Sequence, residues 1–352
     1  MKSQSEFYRI SVLILLFATQ TIRAQIETKL VASDGDTNDY FGRVAAISGD
    51  YIIVGVPYND NAKGIDAGAA YVFKHEGDAW VEKQKLIRPD GADSNYFGYG
   101  VDIDGNYAVI SACWSDQDGE KSGSAYIYKL TGNEWNEQAR LTAPDAAEDD
   151  RFGINVGISG DYAIAGAFFD DDCGSRTGSA YIFHREGTNW VFQEKLVPDD
   201  CAANDWFGVS VIIDGDYAAV SSRYDDNEMG VDAGAVYVYK REESSWVNQK
   251  KLISDDSLNF VGFENSAFCG DHLVVGCYKD EEEVHNGGSV YVYVKYGDNW
   301  IKADKLCSDD ISEGDEFGKN TSMCEGRIII SSPSDDDKGD NSGSVYVFNW
   351  NG

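Results

Sequence analysis

Residues 152–167 read FGINVGISGDYAIAGA, and residues 178–183 read GSAYIF. The first stretch places two apolar runs on either side of a Gly-Asp pair, which is the pattern of a β-hairpin. The second stretch adds a third strand after an acidic loop, and residues 190–196 (WVFQEKL) add a fourth. No apolar pattern with the period of a helix occurs here. The sequence therefore predicts a unit of four short antiparallel strands.

This unit recurs along the whole chain. Each repeat begins near a Lys-Leu or Arg-Leu pair, and these pairs recur every 54–56 residues, at Lys29, Lys85, Arg140, Lys195, Lys251 and Lys305. A fixed period of this length indicates a repeat architecture, and four-stranded units around an axis form a β-propeller. We therefore predict an all-β, six-bladed propeller of four-stranded antiparallel blades. Seven blades is the alternative if an irregular segment contains another unit.

The two ends of the chain suggest how the propeller closes. The sixth repeat ends at Gly352, before its fourth strand, whereas residues 25–30 (QIETKL) resemble the end of a fourth strand with no blade before it. We expect this N-terminal strand to complete the sixth blade. Closure has a physical motive, since an unpaired strand edge promotes aggregation.

Residues 1–24 have the features of a secretory signal peptide. Lys2 and Arg9 precede a short apolar run at residues 10–18, and Ala24 offers a small residue for cleavage. The run is too short to span a bilayer core of about 30 Å. We expect cleavage near Ala24, which leaves residues 25–352 as a single domain that is secreted, periplasmic or held at the cell surface, with no transmembrane segment.

The chain is strongly acidic. Its 61 Asp and Glu residues outnumber 29 Lys and Arg residues, which gives a formal net charge of −32. This charge disfavours binding to nucleic acid and to anionic membranes, and it favours cations or basic partners. A hydrophobic content of 42% argues against intrinsic disorder.

Most of the acidic residues fall in two sets of loops. We call the loops before each first strand the leading loops, and those between the second and third strands the 2–3 loops. In an antiparallel blade both sets emerge at the same end, and together they contain 39 of the 61 acidic residues. The leading loops are residues 33–39, 89–95, 144–150, 198–205, 254–259 and 308–316. The 2–3 loops are residues 58–67, 114–121, 168–177, 224–232, 279–286 and 334–341.

This acidic loop face has two interpretations. Asp and Asn suit turns, and surface charge keeps an exported protein soluble. Alternatively, crowded carboxylates attract Ca²⁺ or a basic protein. Two sets of loop residues are candidate Ca²⁺ ligands, Asp34, Asp36 and Asp39 or Asp335, Asp337 and Asp340, although neither matches an EF-hand loop. The candidate binding residues are Asp34, Asp36, Asp39, Asp170, Asp171, Asp172, Asp225, Asp226, Asp335, Asp336 and Asp337.

A Phe-Gly pair opens the first strand of most repeats, and Gly-Asp-Tyr and Gly-Ser/Ala-Val/Ala-Tyr follow it. In this pattern the chain resembles FG-GAP repeats, the blades of the integrin alpha-chain propeller. The resemblance implies extracellular ligand binding, adhesion or scaffolding. We expect the signature residues to pack blades together. In the fifth copy Glu264 follows Phe263, and we expect a bulge or a slight remodelling of that blade. The signature residues are Phe41, Gly42, Phe97, Gly98, Phe152, Gly153, Phe207, Gly208, Phe317 and Gly318.

One property of the family does not transfer to this chain. Integrin-type blades often carry a calcium loop between the first and second strands. Here that junction is a pair such as Gly49-Asp50 or Gly160-Asp161. Two residues cannot supply the six to eight oxygens that calcium requires, so we expect these sites to be missing.

Other functions have weaker support in the sequence. No His recurs beside a nucleophile, so we expect no enzyme, although an acid pair of a hydrolase or lyase could be hidden among so many carboxylates. A glycan-binding propeller is the alternative, with repeated aromatic residues stacking on sugars. Trp80 and its equivalents, however, are better placed to pack on the neighbouring blade. The seven Cys residues specify no disulfide framework. Cys269 and Cys324 occupy equivalent places in repeats five and six, and we expect them to be buried thiols, with a disulfide between them as the alternative.

Overall fold

The computed structural model describes residues 28–255, 263–281, 284–324, 326–339 and 341–350. In these ranges the protein has 23 β-strands in six antiparallel sheets, and no helix. The sheets follow one another in chain order, each forming one blade. The predicted all-β architecture with six blades is confirmed, and the described residues contain no seventh blade. None of the described segments could cross a membrane as a helix.

The first three blades each contain four strands in sequential order. Blade 1 consists of β1 (Val44–Ser48), β2 (Tyr51–Val56), β3 (Ala69–Glu76) and β4 (Ala79–Leu86). Blade 2 consists of β5 (Val101–Asp104), β6 (Tyr107–Ala112), β7 (Ser124–Thr131) and β8 (Glu134–Leu141). Blade 3 consists of β9 (Val156–Ser159), β10 (Tyr162–Ala167), β11 (Ser179–Glu186) and β12 (Asn189–Leu196).

The remaining blades follow the same order, and the last has three described strands. Blade 4 consists of β13 (Phe207–Asp214), β14 (Tyr217–Ser222), β15 (Ala235–Glu242) and β16 (Ser245–Leu252). Blade 5 consists of β17 (Phe263–Cys269), β18 (His272–Cys277), β19 (Ser289–Tyr296) and β20 (Asn299–Leu306). Blade 6 consists of β21 (Thr321–Cys324), β22 (Arg327–Ser332) and β23 (Ser344–Asn349).

The turn between the first and second strands is as short as predicted. In blade 3, Ser159 pairs with Tyr162 and only Gly160 and Asp161 lie between them. Gly160 has a φ of +58°, which suits the first central position of a tight hairpin turn. A turn of this length leaves no room for the calcium loop that integrin-type blades carry at this place.

The first strands of blades 4 and 5 each contain a register shift, although the sequence predicted an irregularity only in blade 5. In blade 5 the pairing of β17 with β18 shifts between Phe263 and Ser266, as a bulge would require. The same shift occurs in blade 4, between Phe207 and Ser210. The predicted bulge is therefore confirmed, but Glu264 is not its specific cause, since blade 4 retains a normal Phe-Gly pair.

The core lies between the blades. Five clusters of buried apolar side chains each join two consecutive blades, from blades 1 and 2 to blades 5 and 6. Phe97 is fully buried in the first of these junctions. Gly98, which has a φ of +90°, lies so close to blade 1 that an added Cβ would be 2.2 Å from the carbonyl oxygen of Ala69. Phe97 and Gly98 thus pack blades 1 and 2 together, whereas a Cβ added to Gly42 would have no neighbouring atom within 4 Å.

The tryptophans of the fourth strands also pack between blades. Trp135 of blade 2 is 2% exposed and meets Tyr51 of blade 1 edge to face, with 5.6 Å between ring centroids. Trp190 and Tyr107 repeat this contact between blades 3 and 2. Trp135 and Trp190 therefore have the packing role predicted for the tryptophans, whereas Trp80 is partly exposed and contacts the His75 ring of its own blade.

The predicted closure and the predicted signal peptide lie largely outside the described residues. Residues 1–27 are not described, and residues 28–30 form no strand. Blade 6 leaves one apolar face uncovered within the described part of the chain, with Ile329, Val345 and Val347 between 47% and 65% exposed. Closure by residues 25–30 stays a prediction.

The cysteines differ from expectation. Cys173 and Cys201 form a disulfide, with 6.2 Å between their Cα atoms. It joins the 2–3 loop of blade 3 to the leading loop of blade 4. The expectation that Cys269 and Cys324 are buried is wrong, since Cys269 is partly exposed and Cys324 is exposed.

Candidate functional site

The two sets of loops meet at the same end of the blades. Ile65, in the 2–3 loop of blade 1, donates its N–H to Asp93 Oδ1 in the leading loop of blade 2 at 2.8 Å. Its carbonyl oxygen accepts a hydrogen bond from Ser94 N, also at 2.8 Å. Asp149 N and Glu120 O repeat this contact between blades 3 and 2. We call this end of the molecule the loop face.

A buried side chain closes each described leading loop. Asp150 is 5% exposed, and its Oδ2 accepts a hydrogen bond from Ala147 N at 2.7 Å. Burial raises the pKa of Asp150 to about 6, even though the Ala147 hydrogen bond lowers it. The same position closes the other loops through Asp39, Asn95, Asp205 and Asp315.

In blade 3 a polar cluster ties both loops to the sheet. The Tyr181 hydroxyl on β11 donates to Asp145 Oδ1 at 2.9 Å and lies 2.6 Å from Asp170 Oδ2. Lys195, at the end of β12, lies 2.7 Å from Asp145 and 2.9 Å from Asp170, and it also pairs with Asp172. The cluster thus joins the leading loop, the 2–3 loop and two strands.

The electrostatics of this cluster follow from its geometry. Burial opposes ionisation of Asp145, but hydrogen bonds from Lys195 and Tyr181 outweigh that effect and lower its pKa. Burial and the two neighbouring carboxylates raise the pKa of Tyr181, so its hydroxyl stays a donor. Blade 4 repeats the arrangement with Tyr237, Asp200, Asp225 and Lys251.

A second recurring feature is an exposed aspartate in the 2–3 loops. In each of five 2–3 loops, one exposed Asp accepts a hydrogen bond through Oδ1 from an N–H five or six residues further along its own loop. For Asp171 the donor is Arg176 N at 2.6 Å. No cation among the described residues pairs with these five carboxylates. They are Asp60, Asp116, Asp171, Asp226 and Asp336.

The eleven candidate binding residues therefore divide into two groups. Asp39, Asp170, Asp225 and Asp335 are between 1% and 5% exposed and bond within the blades. These four hold loops in place and are hidden from a partner. The seven that are exposed on the loop face are Asp34, Asp36, Asp171, Asp172, Asp226, Asp336 and Asp337.

The described residues of the two predicted calcium sites make other contacts. Asp34 pairs with Lys85 and accepts the hydroxyl of Tyr71, while Asp39 Oδ2 accepts hydrogen bonds from Asp36 N and Asn59. In the second set, Asp335 accepts the hydroxyl of Tyr346 and the N–H of Asp337, and Asp340 lies outside the described residues.

Only one group of carboxylates converges within the part of the chain that is described. Asp145, Asp170 and Asp172 place one oxygen each within 4.8 Å of one another. Lys195 contacts all three, so its ammonium group already supplies the positive charge that a metal ion would bring.

Sequence reasoning missed the roles of Tyr181 and Lys195. Both positions recur in the repeat, but their recurrence by itself indicates only the period. Their signal was the constant spacing between an acidic leading loop, a third-strand Tyr and a Lys or Arg before Leu. What the spacing alone could not indicate is that these side chains meet at one point.

Comparisons with known proteins agree with this architecture. A family model described as FG-GAP repeat matches residues 25–73, 80–128, 135–183, 190–239 and 300–348, more than half of the chain. No curated protein matches the sequence. A solved structure of a functionally unknown protein from Desulfotomaculum acetoxidans DSM 771 is similar in fold, with a TM-score of 0.54 at 9% identity. The match covers 85% of this chain and 79% of that chain.

Proposed function

Because the chain belongs to the FG-GAP repeat family, we propose that it is an exported, non-catalytic binding scaffold whose loop face engages a basic protein partner. The observation that carries this proposal is the set of five exposed aspartates in matching positions of the 2–3 loops. Each has one oxygen fixed by its own loop and the rest of the carboxylate open to solvent.

Loop rigidity supports the proposal. The Tyr181 and Lys195 cluster and the Asp150 bond hold the loops of blade 3, and equivalent bonds hold those of blade 4. A partner that binds such loops loses less free energy to ordering than one that binds flexible loops. Repeated carboxylates also steer a basic partner toward this face.

Export is supported by the disulfide between Cys173 and Cys201, because disulfides persist in oxidising compartments outside the cytosol. The basic start and apolar run of residues 1–24 agree with this location. Mass spectrometry of the exported protein should identify Gln25 as the first residue. A protein that keeps residues 1–24 and stays in the cytosol would contradict export.

The proposed binding can be tested with a defined cationic probe. We expect a fluorescein-labelled octalysine peptide to bind the full exported chain, measured by fluorescence anisotropy. Changing Asp171→Asn, Asp226→Asn and Asp336→Asn together should weaken binding by about tenfold at low salt and by less at high salt. Asn retains the Oδ1 acceptor, so the loops should keep their conformation.

A matched control removes three acids from the opposite end of the blades. Asp78, Glu134 and Glu242 are exposed there, and their Asn or Gln variants change the net charge by the same amount. If this control weakens octalysine binding equally, net charge and not the loop face is responsible, and the proposal fails.

A further inference from the structure

An axial cavity opens among the first strands of the blades. It has a volume of about 620 Å³, and it is lined by residues of blades 1, 2, 3, 4 and 6. The described residues of its wall include Arg43, Arg151 and Arg223 and no Asp or Glu. The chain has a net charge of −32, so arginines without an acidic neighbour among the described lining residues distinguish this cavity from the acidic loops.

Arg43 lies over an aromatic ring. Its guanidinium carbon lies 3.8 Å from the centre of the Tyr99 ring, and Nη1 donates to the carbonyl oxygen of Tyr99. Tyr99 in turn packs against Trp114, with 4.8 Å between ring centroids. No carboxylate among the described residues pairs with Arg43. Stacking of this kind fixes the plane of a guanidinium group and leaves its edge free to donate.

Arg151 has a similar setting across the blade junction. Its guanidinium carbon is 4.5 Å from the centre of the Phe169 ring and 5.1 Å from that of Trp114. Asp149 accepts a hydrogen bond from Arg151 Nε at 3.0 Å. The terminal nitrogens Nη1 and Nη2 have no acceptor among the described residues. Arg151 therefore keeps its pair of terminal donors for a ligand.

The rest of the wall adds apolar and amide groups. Trp206 packs on Phe169 with 5.3 Å between ring centroids, and Asn155 contributes a side-chain amide near the same mouth. Arg223 lies 6.0 Å from the Trp206 ring. Flat rings, an amide and fixed guanidinium groups are the usual means of binding a polar ligand that carries one negative group.

We propose that the axial cavity binds the acidic end of a glycan, a terminal sugar that carries a carboxylate. Arg43 and Arg151 would bind the carboxylate, Asn155 would bond hydroxyl groups, and the exposed edges of the aromatic rings would contact the apolar face of the sugar. A cavity of this volume falls within the range typical of small-ligand sites.

The negative charges near the cavity favour a ligand with one terminal carboxylate over an extended polyanion. The wall includes Trp114 and Phe169, which belong to 2–3 loops that also carry the exposed Asp116 and Asp171. A nucleic acid, an acidic peptide chain or a polysulfated glycan would have to place further charges against these carboxylates. A glycan that is neutral except at its end places its single charge beside the arginines.

This inference does not depend on the proposed basic partner, because it concerns different residues and a ligand of opposite charge. The test uses two matched sugars, methyl β-D-glucuronide and methyl β-D-glucoside, which differ by a carboxylate in place of a hydroxymethyl group. Isothermal titration calorimetry on the full exported chain should show the glucuronide binding at least about tenfold more tightly than the glucoside.

Variants of the two arginines locate the binding. Arg43→Gln and Arg151→Gln should each weaken glucuronide binding by about tenfold. The matched control is Arg185→Gln, since Arg185 also stacks on a tyrosine, Tyr107 at 4.6 Å, but lies at the opposite end of the blades. It should leave binding unchanged. Thermal melting checks that all three variants are folded.

Four results would overturn the inference. They are no binding of the glucuronide, equal binding of the glucoside, glucuronide binding that survives both arginine substitutions, and tighter binding of N-acetylaspartate, which would assign the cavity to a peptide carboxylate. Octalysine binding to the same variants is measured in parallel, so failure of this inference and failure of the proposed function are read separately.

Discussion

Blades 3 and 6 have nearly the same sequence pattern and very different surroundings. Ile164 and Ile182 of blade 3 are 1% and 0% exposed, because blade 4 packs on them. Their equivalents in blade 6, Ile329 and Val347, are 47% and 60% exposed within the described structure. The repeat sequence therefore determines that these positions are apolar, whereas the neighbouring blade determines whether they are buried.

The largest expected difference between the two blades is in core packing. Ile164→Ala should destabilise the protein by about 3 kcal/mol, because it leaves a cavity between blades 3 and 4. Ile329→Ala removes the same atoms from an exposed face and should cost less than about 1 kcal/mol. Chemical denaturation measures both. An equal cost for the two variants would show that another segment covers blade 6 in solution.

The next difference concerns the polar clusters under the loop face. Tyr181→Phe removes the donor shared by Asp145 and by Asp170, which is 4% exposed, and should cost about 2 kcal/mol. Tyr346→Phe removes the matching donor to Asp310 and Asp335 in a more open setting. We expect a cost of about 1 kcal/mol or less. A smaller cost in blade 3 than in blade 6 would contradict the importance of burial.

The smallest difference is in pH dependence. Burial raises the pKa of Asp150 to about 6 from an ordinary value of 3.8. Between these values the unfolded chain releases its proton while the folded chain retains it, so stability falls as pH rises. Asp150→Asn should remove that loss and stabilise the protein at pH 7 by about 1 kcal/mol, with little effect near pH 4.

Two residues serve as controls for this substitution. Asn95 occupies the same position in blade 2 and accepts the same backbone hydrogen bond from Ala92 at 2.9 Å, so an Asn is compatible with the loop. Burial also raises the pKa of Asp315 in blade 6, and we expect Asp315→Asn to have a smaller effect. Thermal melting across pH 4–7 compares the variants. If Asp150→Asn changes the melting temperature equally at pH 4 and at pH 7, titration of Asp150 is not the cause of the stabilisation.

Much of the fold could be predicted from local patterns. The pair Gly160 and Asp161 predicts a tight hairpin, and the spacing of Phe152, Tyr181 and Lys195 predicts one blade. These signals are short in range, so a single sequence contains them. The disulfide between Cys173 and Cys201 could not be predicted in this way, because it joins loops of two different blades.

The candidate sites were less predictable than the fold. The repeat pattern predicts which loops contain the acidic residues. It does not distinguish buried Asp170 from exposed Asp171, its neighbour in the chain. The difference arises because Tyr181 and Lys195 reach only one of them. Arg43 and Arg151 were missed for a related reason. They flank the Phe-Gly pair at positions that vary between repeats, and only the structure brings them to a common cavity.

The sequence by itself determined the number of blades, their strand order and the end at which the acidic loops emerge. These features follow from hydrogen bonding and apolar alternation within one repeat, which act between residues close in the chain. Tertiary structure alone decided which carboxylates are neutralised and which face solvent, and it placed arginines at the centre of an acidic face. Those properties depend on distances between residues of different blades, and local spacing does not specify such distances.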